Sequence, residues 1–191
     1  MKPVPRILIA ATSLVAVAVV GLAVAAPKHY DVSRSIVIDR DAHDVFAYTA
    51  RLDTRREWTS WAEKDPGATW TVTGRDGAPG AEVRWQGEQA GEGKVTIEDV
   101  QADRRIATHL TITKPFQAES SDTFEIERLG DQKTRVTWKN EGDLHGPMRL
   151  FGFVADRVLG DDYARGLANL KAKMEQPDAG ARRAEATLPT E

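Results

Sequence analysis

The chain has 191 residues, 29% of them charged, a net charge of -3 and no cysteine. The missing thiols exclude disulfides, thiolate zinc sites and cysteine nucleophiles. The slightly acidic balance argues against a broad nucleic-acid footprint.

Residues Ile7 to Ala26 (ILIAATSLVAVAVVGLAVAA) carry no charge, and Lys2 and Arg6 stand just before them. As a helix this run would be about 30 Å long, the thickness of a bilayer's hydrocarbon core. Two readings stand. One is an uncleaved anchor, with the N-terminus cytoplasmic because cations prefer that side. The other is a signal peptide cut near Ala25, since Ala23-Val24-Ala25 fits the small-residue cleavage pattern. Either way the bulk of the chain is expected outside the cytoplasm, and residues 1–27 form a separate segment. Residues 28–176 have the size of one domain. Residues 177–191 are rich in Ala, Pro, Gly, Arg and Glu without apolar period, so a disordered tail is expected.

Tyr30–Asp39 is rich in β-branched residues and reads as a strand. Asp41 is placed to cap a helix carrying Val45, Phe46 and Tyr48. Residues 51–61 (RLDTRREWTSW) read as a short helix or turn pair. Strands are then expected near 68–74, 80–87, 92–101, 104–114, 118–129 and 133–141. Their alternation is visible in Val83/Trp85, Val95/Ile97, Ile106/Leu110/Ile112, Phe124/Ile126 and Val136/Trp138. Links this short make consecutive strands antiparallel neighbours. At the end Leu159, Tyr163, Leu167, Leu170 and Met174 form one helical face. Leu150, Phe151, Val154 and Val158 form another, almost opposite it. A straight helix cannot bury both, so a break is expected near Gly160, between helices at about 147–158 and 160–175. The sum is an α+β domain, a curved antiparallel sheet of about seven strands wrapped around a C-terminal helix.

This order resembles the helix-grip fold of the START and Bet v 1-like (SRPBCC) superfamily, and its bacterial polyketide cyclase/dehydrase-like group in particular. The resemblance rests on an ordered set of motifs over about 28–175. These are SRSIVID (33–39), Trp58-Thr59-Ser60-Trp61, GEGKVTI (91–97), KPF (114–116), TRVTW (134–138) and GLANLK (166–171). It implies the fold and an internal apolar cavity for a hydrophobic small molecule or lipid. It implies no reaction, cofactor or shared catalytic set.

Strand parity selects the side chains that face inward. The expected ligand-pocket lining is Val83, Trp85, Leu110, Ile112, Phe124, Ile126, Val136, Trp138 and Asn140, with Leu159, Tyr163 and Leu167 from the last helix. The plainer alternative is that these residues simply fill a core. Pro147–Val158 is a candidate lid. Asp122 is the one inward acid, a candidate acid or base because burial raises a carboxyl pKa. His145, in a loop, is a second such candidate. His109 has outward parity. His43 stands among Asp39, Asp41 and Asp44, but those acids suit a helix start better than a metal. Gly91-Glu92-Gly93-Lys94 lacks the spacing of a phosphate loop and suits a bend or bulge.

The leading expectation is therefore a membrane-tethered, exported domain binding a hydrophobic molecule. The alternatives are a cyclase, dehydratase or isomerase acting on a hydrophobic substrate, and a non-catalytic envelope protein with a protein partner.

Overall fold

The computed structural model describes residues 25–176, together with Gly21. Most of the apolar run 7–26 and all of the tail 177–191 lie outside the described residues. Among the described residues no helix is long and apolar enough to cross a membrane.

Seven strands form one antiparallel sheet: β1 (His29–Ile38), β2 (Thr69–Thr73), β3 (Glu82–Gln86), β4 (Glu92–Gln101), β5 (Arg105–Lys114), β6 (Ala118–Gly130) and β7 (Lys133–Asp143). Their spatial order is β1-β7-β6-β5-β4-β3-β2, so β1 and β2 are the two edges. Between them in sequence lie three short helices, α1 (Ala42–Ala50), α2 (Arg55–Trp58) and α3 (Ser60–Lys64). A 3-10 helix (Gly146–Phe153) and a long helix α4 (Ala155–Glu175) close the domain. This is an α+β helix-grip architecture.

Local chemistry explains the elements. Asp41 caps α1 by accepting from the His43 N–H at 2.8 Å, and Ala42, Val45 and Thr49 are its buried stripe. His43 pairs with Asp103 at 2.9 Å. Gly91 has φ of 67°, where a side chain is strained. A Cβ there would lie 2.2 Å from the Lys114 carbonyl oxygen. The register shifts at Glu92/Gly93, directly after it, so these glycines bend the sheet.

The inner face follows the parity of the sequence. Val83, Trp85, Thr108, Leu110, Phe124, Ile126, Val136 and Trp138 are all buried, and Ile112 is half-buried. Against them α4 presents Tyr163, Leu167, Leu170 and Met174, also buried. The helix is fastened at several points. Arg34 donates to Asp156 at 2.9 Å, Lys64 to Asp162 at 2.6 Å, and Lys171 to the Val37 carbonyl at 2.7 Å.

The expected break at Gly160 is not there. α4 runs unbroken through Gly160, and the discontinuity lies at Val154, between the 3-10 helix and α4. The reason is that Leu150, Val154 and Val158 are exposed. With only one face buried against the sheet, nothing requires a kink at 160. Gly160 instead makes room for Arg34, whose Nη2 would lie 1.9 Å from a Cβ at that position.

Candidate ligand cavity

One end of the inner face is packed solid. Trp58 meets Phe124 edge-on, with centroids 6.0 Å apart, and Trp138 at 5.6 Å. Trp138 stacks on Tyr163 at 4.3 Å. Seven of the residues expected to line a pocket lie in the packed interior: Val83, Trp85, Phe124, Ile126, Val136, Trp138 and Leu167.

At the other end a cavity of about 720 Å³ opens. It has the size of a small-molecule site, roughly 300–1,000 Å³. Leu110, Ile112, Asn140, Leu159 and Tyr163 border it, and these are the other five residues expected from the sequence. β5 and β6 bring Leu110 opposite Ser120 and Ile112 opposite Ala118. The start of β1 adds Tyr30, the β5–β6 turn adds Phe116, and the 3-10 helix adds Met148 and Phe151. His145 and Leu144 border it beyond the end of β7, and Glu119, Glu141 and Asp143 add acids to the border. The candidate lid therefore stands against the opening, with Phe151 edge-on to Tyr30 at 6.2 Å.

A polar row forms the step between the packed end and the cavity. Thr108 faces Asp122 across β5 and β6, and Asp122 faces Asn140 across β6 and β7. Asn140 borders the cavity; Asp122, one strand further in, does not. Trp138 Nε1 donates to Asp122 Oδ1 at 2.8 Å, and Asn140 Nδ2 donates to the same oxygen at 3.0 Å. Asn140 Nδ2 also reaches Ser120 Oγ at 3.0 Å. Burial pushes the Asp122 carboxyl above its ordinary value, opposed by these hydrogen bonds and by the Arg55 charge. Burial likewise raises the Tyr163 phenol, with the Asp122 charge adding to it.

Arg55 is the buried neighbour of this row that sequence reading missed. It is buried, its guanidinium lies 5.0 Å from the Phe124 ring centroid, and its Nε and Nη2 have no hydrogen-bond partner among the described residues. In RLDTRREW it looks like any solvated cation, and only tertiary packing puts it inside. His109 is half-exposed, 3.9 Å from both Glu98 and Glu119, and part of the cavity rim.

Chemically, this is a mainly apolar chamber with neutral polar groups at its inner end and with Glu119, Glu141, Asp143, His29, His109 and His145 also on its border. Ser120, Asn140 and Tyr30 can orient a polar group of a ligand. Asp122 already accepts from two neighbours and stands off the cavity border, whereas His145 is on it.

Comparison with known proteins agrees with the architecture. A START superfamily protein from Mycobacterium smegmatis is similar over 76% of this chain and 97% of its own, with 18% identity and a TM-score of 0.58. The Mll3558 protein from Rhizobium loti covers 75% and 96%, with 23% identity and a TM-score of 0.54. The Aha1 dimer from Colwellia psychrerythraea covers 76% and 96%, with 13% identity and a TM-score of 0.52. At such identities the likeness shows the fold alone. No curated protein matches the chain. The sequence profile of the family described as polyketide cyclase / dehydrase and lipid transport matches residues 29–175. That span takes in every strand, the 3-10 helix and α4, and the chain belongs to this family.

Proposed function

We propose that this chain is a membrane-tethered, exported domain that binds a hydrophobic small molecule or lipid in its cavity. The observation that carries the reading is the 720 Å³ space between Leu110, Ile112, Phe151, Leu159 and Tyr163. Its lining is more apolar than polar, with His29, His109, Glu119, Glu141, Asp143 and His145 also on its border, and its inner end offers the hydrogen-bonding groups of Ser120 and Asn140. That combination suits a molecule with a large apolar body and a small polar end. The tether rests on the uncharged run 7–26 and the preceding Lys2 and Arg6. The family's lipid-transport description supports the ligand class.

A catalytic reading through Asp122 or His145 has weaker support. It needs converging polar groups at one reacting centre, whereas Asp122 is engaged by Trp138 and Asn140 behind the cavity wall. The test is organic extraction and mass spectrometry of the full chain purified from membranes. The proposal expects a co-purifying hydrophobic compound, and an intact mass that retains residues 1–26. A chain that is reproducibly empty contradicts the ligand reading; a mass ending near Ala25 contradicts the tether.

A further inference from the structure

We infer that the outer surface of the 3-10 helix and the first turn of α4 is a membrane-contact face, which sets the cavity mouth against the bilayer. The inference rests on the tether reading above and adds an orientation to it.

Three observations converge. First, the large exposed hydrophobic residues cluster. Leu150 is 42% exposed, Phe153 55%, Val154 48% and Val158 49%, all within one nine-residue stretch. The same 3-10 helix turns Met148 and Phe151 the other way, onto the cavity. A contiguous apolar patch of this kind marks an interaction surface rather than ordinary scatter.

Second, the apolar run ends at this patch without slack. Ala26 is buried, and its carbonyl accepts from Arg149 Nη2 of the 3-10 helix. Pro27 packs on Gly152 so closely that a Cβ there would lie 2.9 Å from the proline Cβ. The Lys28 carbonyl accepts from the Leu144 N–H at 2.7 Å. A span that ends at Ala26 therefore delivers the 3-10 helix to the membrane surface, with no linker to let the domain turn away.

Third, the patch carries exposed cations, and the acid within it, Asp156, is paired with Arg34 at 2.9 Å. Lys28 and Arg157 are exposed, and Arg157 shares a helical turn with Val154 and Val158. Apolar side chains flanked by Lys and Arg suit the headgroup region of an anionic leaflet. A bilayer is thus the fitting occupant, and ligand would pass between it and the cavity beside Phe151 and Met148.

The native chain has no cysteine, so single labels are unambiguous. The full chain is reconstituted in phosphatidylcholine/phosphatidylglycerol vesicles as F153C, V158C or L129C, each carrying an environment-sensitive fluorophore. Leu129 is also exposed but lies at the opposite end of β6. Lipid-borne nitroxide should quench the labels at 153 and 158 at least about twofold more than the label at 129. Equal, water-like emission at all three sites on vesicles that retain the chain overturns the inference while leaving the tether standing. Shielding at 153 without quenching by lipid means that protein covers the patch, a second copy or the chain's own apolar run, and also overturns it. A chain that fails to float with the vesicles overturns tether and inference together.

Discussion

The two ends of the inner sheet face have the same parity and opposite fates. At the end holding Ile106, Phe124 and Trp138, α2 and α4 press Trp58 and Tyr163 into the sheet and leave no room. At the end holding Ile112, Ser120 and Gly142, the covering element is a 3-10 helix that turns only Met148 and Phe151 inward, and a cavity remains. Strand alternation alone cannot separate these outcomes. What separates them is the element laid across the face: a well-packed helix fills it, while a short 3-10 helix bridges over it.

The contrast predicts unequal costs for similar truncations. Phe124→Ala at the packed end should lose about 3–5 kcal/mol of stability in chemical denaturation. Ile112→Ala on the cavity wall should lose only about 1 kcal/mol, because its side chain already has empty space on one side. Equal losses would mean that the cavity closes in solution.

The polar step between the two ends gives the next largest effect. Asp122→Ala leaves the buried Trp138 and Asn140 donors without their acceptor, a loss of about 2–3 kcal/mol. Asp122→Asn keeps the shape and removes the titration. In the parent, burial raises the Asp122 carboxyl, so the folded state holds its proton more tightly than the unfolded chain. Its contribution is therefore favourable below the ordinary Asp value, about 3.9, and declines as pH rises from there toward the folded value. The stability of the parent relative to D122N should fall across that window. A flat difference would mean that Arg55 and the hydrogen bonds fully cancel the burial.

The smallest predicted effect tests the unbroken helix. Gly160→Ala gains up to about 1 kcal/mol of helix propensity but displaces the Arg34 guanidinium from its place over the glycine. The net change in thermal stability should be smaller than the propensity gain alone. A large loss would show that Arg34–Asp156 fixes the approach of α4 to β1.

Much of this was legible in the sequence. The antiparallel succession of β2 to β7, the α1 cap at Asp41, the bend after Gly91 and the inward parity of Trp85, Phe124 and Trp138 follow from alternation and turn chemistry, whereas the pairing of β1 with β7 does not. Three things did not. Arg55 sits in a charged run whose burial depends on contacts with residues far along the chain. The division of the inner face into packed and open ends depends on how closely the covering helices approach. The break at Val154 escaped because an apolar face was expected to be buried, whereas Leu150, Val154 and Val158 are exposed. That exposure is itself informative beside an apolar run that ends at Ala26.

The central claim, that the open end exists to hold a hydrophobic molecule, is tested most directly by filling it. Ile112→Trp places an indole on the cavity wall. Mass spectrometry under native conditions should find a ligand bound near one-to-one to the parent full chain. The folded I112W protein should have lost it, with its denaturation midpoint little changed. No bound ligand on the parent, or equal occupancy in both proteins, would contradict the account.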